Sequence, residues 1–180
     1  MGSYWELIEP LFEVIEYGET PEIFTKSAAS LPRSAVVLFS AHMCLAEVHN
    51  GGFLQLFWNT TGVLVPEGIE GFVVIGMPRM AEILGVAARP LGTPYPRDRD
   101  ARWDALLAAS GYSKSDLHKI FRKQRDEPDE TKGMYSAFVD ATKSLPFDEL
   151  NKEFWETAET ESGGFQDAAT RYAQNPYLIH

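Results

Sequence analysis

Four histidines and one cysteine are the residues with the most direct claim to metal or nucleophilic chemistry. His42 and His49 are seven residues apart, which on a helix is two turns, or about 10.5 Å. One ion held at about 2.0–2.1 Å by each ring nitrogen cannot span that gap. No His-Glu-x-x-His or Glu-x-x-His pair exists, and His118 and His180 stand alone in the sequence, so no metal is expected. Cys44 lies in the most apolar stretch of the chain, where a thiol behaves as a small inert hydrophobe with a raised pKa. A lone cysteine also excludes an intrachain disulfide framework and a multi-cysteine zinc site. Gly-x-Ser-x-Gly and phosphate-loop patterns are absent. Nothing in these residues speaks for an enzyme, and no cofactor is expected.

The richest polar pattern runs from Glu47 to Asn59, Glu-Val-His-Asn-Gly-Gly-Phe-Leu-Gln-Leu-Phe-Trp-Asn. Asn50-Gly51-Gly52 is a helix stop, because glycine enters the left-handed region cheaply. Assigning positive φ to Gly51 predicts that Gly51→Val costs more than about 1 kcal/mol. Beyond the stop, Phe53 with Phe57 and Leu54 with Trp58 make i,i+4 apolar pairs that dock a short helix on a core. Gln55 and Asn59 make an i,i+4 polar pair near Glu47 and Asn50. Two readings stand for Glu47, Asn50, Gly51, Gly52, Gln55 and Asn59: a polar pocket that grips a small ligand or a partner's backbone, or amides that satisfy helix ends orphaned by the sharp turn.

Charge is the second signal. The 180 residues hold 16 Lys and Arg against 26 Asp and Glu, a formal net charge of −10. Such a balance argues against direct nucleic-acid binding and against an anionic membrane surface, since both need a positive field. Residues 1–72 carry nine acids and two bases, residues 129–180 ten acids and four bases, and the middle ten bases and seven acids. Glu6, Glu9, Glu13 and Glu16 recur at helical spacing and predict one acidic stripe; Glu149, Glu153, Glu156 and Glu159 predict another. Carboxylates one turn apart stand about 5.4 Å apart, comparable with roughly 7 Å between phosphates on one DNA strand. A stripe of this kind can face a basic DNA-binding groove, or be simply the solvated side of an amphipathic helix.

Helical start and stop signals run through the chain, and no period-2 run or hairpin dipeptide competes with them. The spacing predicts a helix over 4–17 that Pro10 ends or kinks, one from Pro21, and a buried central helix from Pro32 to about His49. Further helices are predicted over 53–60, from Pro66, from Pro78 to Ala88, and over 100–110. After them come a basic helix from a Ser113–Asp116 capping box to Arg125, and helices over 135–143, 146–159 and up to Asn175-Pro176. Arg89 to Pro96 reads as a proline-rich crossing loop and Asp126 to Gly133 as a polar loop. The expectation is a single all-α, bundle-like domain over residues 1–180. The N-terminus lacks a basic n-region followed by an apolar stretch, and no apolar run approaches a membrane span, so a cytoplasmic protein is expected.

Residues 46–62, with Ile75-Gly76, resemble the central motif of the bacterial DNA-mimic protein family. Residues 147–155, Phe-Asp-Glu-Leu-Asn-Lys-Glu-Phe-Trp, and the ending Tyr172-Ala173-Gln174-Asn175-Pro176-Tyr177 also resemble it, so the similarity covers about residues 30–178. The resemblance implies an all-α, acidic protein, a homodimer, that occupies the DNA-binding surface of a transcription factor. The basic helix with Lys114, Lys119, Arg122, Lys123 and Arg125 departs from a uniformly acidic mimic. The partner expected is a basic DNA-binding protein; an immunity-type inhibitor of a toxin nuclease and a small-ligand protein using the Glu47 corner are the alternatives.

Overall fold

Prolines set five of the helix starts. A proline lacks the N–H that a first helical turn leaves unpaired, and its φ is already helical. The computed structural model, which describes residues 3–18, 20–123 and 129–175, is all α-helical, with no strand among those residues. Helix α2 (Pro21–Ala28) and α5 (Pro78–Ala88) begin on a proline, α4 (Val65–Val74) carries one in its first turn, and α3 (Arg33–Trp58) and α9 (Phe147–Thr160) follow one at the N-cap. The remaining helices are α1 (Trp5–Ile8), α6 (Arg99–Ala109), α7 (Lys114–Lys123), α8 (Glu130–Thr142) and α10 (Phe165–Ala173).

Helix α3 is the axis of the fold. Its buried residues include Val36, Leu38, Phe39, Cys44, Val48, Phe53 and Phe57, and α1, α4, α6 and α9 pack around it. Helix α4 lies so close that a Cβ on Gly71 would stand 2.2 Å from the Val37 carbonyl oxygen, so only glycine lets these two backbones meet. Cys44 is fully buried in this contact, and burial pushes its thiol pKa far up, as expected of an inert core thiol.

Two segments differ from the sequence expectation. Only the first turn of the 4–17 pattern is α-helical: Pro10 falls inside a 3₁₀ turn over Glu9–Glu13, and the chain leaves helical geometry after Val14. Ile8, Leu11 and Ile15 are buried, whereas Trp5 and Phe12 remain 40% and 41% exposed. Because a 3₁₀ turn takes three residues rather than 3.6, Glu6, Glu9, Glu13 and Glu16 do not stack into one α-helical stripe. All four are nevertheless exposed. Helix α8 starts at Glu130 rather than near Tyr135, because the Asp129 carboxylate accepts from the N–H groups of Thr131 and Lys132 and caps it.

The basic helix is tied to nearby acids. Lys114 Nζ lies 3.1 Å from Asp104, and Lys119 Nζ donates to Asp116 at 2.8 Å. Ser113 and Asp116 form the capping box: the Ser113 hydroxyl donates to Asp116 at 2.6 Å, and the Asp116 N–H donates back at 3.3 Å. The Lys119 ammonium first, and then Ser113, pull the Asp116 carboxyl down to about 2. The Lys123 side chain, Arg125, the loop from Asp126 and the Pro176-Tyr177 ending lie outside the described residues. No helix among the described residues is long and apolar enough to cross a membrane.

Candidate functional site

The corner at residues 50–53 turns α3 through two glycines. Gly52 takes φ +77° and ψ −179°, while Gly51 sits at φ −156°, a value open to any residue. The positive φ therefore belongs to Gly52, and the assignment to Gly51 is corrected: a glycine pair offers two places for the reversal, and packing chose the second. A Cβ on Gly51 would instead meet Gln55 Oε1 at 2.0 Å, so substitution there acts on Gln55.

Glu47 is the hub of this corner. Its carboxylate accepts from Gln55 Nε2 at 2.9 Å, Asn59 Nδ2 at 3.1 Å and the Thr61 hydroxyl at 2.8 Å. The two amides thus clamp a carboxylate across the kink rather than capping helix ends. The ends are capped from elsewhere. The Phe53 N–H donates to Asn151 Oδ1, on α9, at 2.8 Å. At the other end of the short arm, the fully buried Arg102 donates Nε to the Phe57 carbonyl at 3.1 Å and a terminal nitrogen to the Asn59 carbonyl at 2.7 Å, and also reaches the Arg97 carbonyl. Trp103 stacks on Trp58 at 4.0 Å and donates Nε1 to its carbonyl. A cavity of about 340 Å³ opens beside Asn50, Gln55, Asn59 and Tyr135.

Sequence reading missed Thr61, Arg102 and Asn151, and a buried carboxylate at Glu67. Glu67 is 6% exposed and takes both terminal nitrogens of Arg97 at 2.8 Å, with Arg33 at 3.3 Å. Arg102 had a signal: it shares the α6 face of Leu106 at i+4, an apolar position occupied by a base.

The second acidic row survives on α9. Glu149, Glu156 and Glu159 are exposed and Glu153 is partly so. Arg79 reaches across from α5 and pairs with both Glu153 and Glu82, while Glu161 accepts the N–H groups of Arg79 at 2.9 Å and Met80 at 3.1 Å. Glu153 therefore contributes less free charge than Glu149 or Glu159, while Glu156 has Lys152 at 3.9 Å.

A further cavity of about 520 Å³ is lined by Tyr4, His42, His49, Glu159, Phe165 and Asp167 among others. His42 Nδ1 lies 3.2 Å from the Tyr4 hydroxyl. Burial lowers both histidine pKa values, with the Glu159 charge opposing the shift at His49. A lowered His42 means that the unfolded chain takes up a proton below its ordinary 6.5 while the folded chain resists it. Stability is then complete above that value and falls as pH drops through 6.5. Urea unfolding at pH 7.0 and 5.5 should show a steeper loss for the wild type than for His42→Gln, bounded by about 1.4 kcal/mol per pH unit for one group. Equal losses would show that His42 does not carry the dependence. Among the described residues no group of three His, Cys, Asp or Glu side chains is placed to hold a metal ion.

No curated protein and no solved structure matches the chain. The model of the family described as DMP19-like protein matches residues 29–117, so this segment, with the kinked helix, the Glu47 clamp and both buried polar centres, is similar to that family.

Proposed function

We propose that this protein is a DNA-mimic-type interaction protein that places exposed carboxylates on the basic DNA-binding surface of a partner such as a transcription factor, without chemistry of its own. Similarity to the DMP19-like family supports the scaffold. The matched residues 29–117 hold seven bases and eight acids, a net charge of −1. The other −9 of the chain's −10 lies on the flanks, residues 1–28 and 118–180. The observation that carries the reading is that the flanking glutamates at 6, 9, 13, 16, 149, 156 and 159 all remain exposed. Exposed like charges on the two flanking segments are available to an opposite field.

The test begins with capture of the partner from native lysate and proceeds to competition gel shifts. The partner is expected to hold DNA or this protein, never both. Binding should weaken as salt rises, with a shallower slope than DNA shows, because protein carboxylates condense fewer counterions than a phosphate backbone. Glu149→Lys with Glu156→Lys, a pair that leaves the Arg79 contact to Glu153 intact, should slow association about tenfold with little change in folding, as should reversal at Glu6, Glu9, Glu13 and Glu16. Reversing Lys119 and Arg122 should not weaken the complex. Unchanged competition by both acidic variants would sink the reading. A toxin nuclease inhibited with the same salt dependence would replace it with the immunity-type one.

A further inference from the structure

We propose that the 520 Å³ cavity between Tyr4, His42, His49, Glu159, Phe165 and Asp167 is a socket for an arginine side chain presented by the basic partner. The inference rests on the mimic reading above and adds to it a specific anchor.

The size fits: specific pockets commonly span about 300–1,000 Å³. So does the chemistry of the walls. Neither the Glu159 nor the Asp167 carboxylate accepts a hydrogen bond or joins an ion pair among the described residues, unlike those of Glu47, Glu67, Glu70, Glu82 and Glu153, each of which has a partner. Two free carboxylates thus face one concave space. The aromatic rings of Tyr4 and Phe165 stand edge to face at 5.7 Å and line the same space. Aromatic faces and edges with carboxylates beside them suit a flat, weakly hydrated guanidinium, which stacks on rings and donates to carboxylate oxygens together. The exposed Trp5 and Phe12 contact the His42 ring from the solvent side, extending the apolar surround.

The opposing possibility is an anion. The first turn of α10 lines the cavity, and a helix start favours negative charge. Asp167 sits in that same turn and offsets it. Both histidines are held toward the neutral form by burial, so neither adds a positive charge at neutral pH. With Glu159 added, two carboxylates stand against one nearby cation, Arg171, whose guanidinium lies beside Gly163 and donates to the Ser162 carbonyl at 2.6 Å. The placement is also apt: Glu159 ends the α9 row, and Tyr4 immediately precedes α1, so a side chain seated here would lie between the end of that row and the start of α1.

N-acetyl-arginine amide and its neutral isostere N-acetyl-citrulline amide distinguish charge from shape. In NMR titrations of the full chain, the arginine probe is expected to shift the His42 and His49 ring resonances saturably, and the citrulline probe is not. Glu159→Gln with Asp167→Asn, both at exposed positions, should weaken the arginine probe at least tenfold while the spectrum elsewhere stays folded. Equal shifts from both probes, no saturable shift, or an unchanged midpoint in the double variant would each overturn the proposal. A second arm uses the captured partner. Ala46→Trp, at the cavity wall, should speed release about tenfold and leave association unchanged; an unchanged release rate would overturn the anchor role. The probe titration needs no partner. Failure of the mimic reading would therefore appear as unchanged competition by the acidic-row variants, and failure of the socket as a flat titration.

Discussion

Arg102→Ala is expected to lower the free energy of unfolding by about 3–5 kcal/mol, enough to threaten the fold of an ordinary domain. The guanidinium is fully buried and hydrogen-bonds to no carboxylate among the described residues; its compensation is the set of carbonyls at Phe57, Asn59 and Arg97. Burial lowers its pKa, as desolvation of a cation must. Deleting the side chain removes the cap from the end of the short helical arm, opens a void beside Gly62, and leaves the Phe57 carbonyl without that donor. Arg102→Met separates the causes, since it keeps most of the volume but none of the donors. Methionine as costly as alanine assigns the effect to hydrogen bonding. Methionine as stable as wild type would show that the buried charge offsets its own contacts, as some buried ionic groups do. Urea unfolding followed by circular dichroism, with the slope compared between variants, reads the difference.

That residue marks the limit of what sequence alone conveyed. Helix positions were legible because they rest on local rules: prolines at starts, glycines at stops and apolar spacing between them. The central helix, its break at Asn50-Gly51-Gly52 and the capping box at Ser113 follow from residues within a few positions of one another. The first helix failed where two local rules competed, apolar spacing through residue 15 and a proline at 10, and the proline prevailed. The corner was legible as a cluster but not as a circuit. Glu47, Gln55, Asn59 and Thr61 were already adjacent in the sequence, yet their roles turn on Asn151 and Arg102, which are brought in from α9 and α6. Those two side chains release the amides from capping duty and leave them to clamp the carboxylate. Glu67, Arg33 and Arg97 were missed for the same reason: partners 30 and 34 residues apart follow no helical period.

Valine at Gly52 should cost about 3 kcal/mol or more, and alanine at Gly51 only about 1 kcal/mol. A β-branched residue at φ +77° pays for the left-handed backbone itself. Its Cβ would also stand 2.5 Å from Asn151 Nδ2, forcing that side chain away and stripping the cap from the Phe53 N–H. Asn151→Ala measures the cap alone, at about 0.5–2 kcal/mol, and the remainder belongs to the backbone. At Gly51 no backbone strain arises, because φ is −156°. The new methyl group instead overlaps Gln55 Oε1, the end of a flexible side chain that swings aside and gives up its 2.9 Å bond to Glu47. Gly51→Ala and Gln55→Ala should therefore be non-additive: once Gln55 is gone, alanine at 51 has nothing left to displace. Thermal or urea unfolding of the four variants of that cycle, with Gly52→Val alongside, provides the measurement. Equal losses at 51 and 52 would show that the reversal of the chain is shared by both glycines rather than placed on the second.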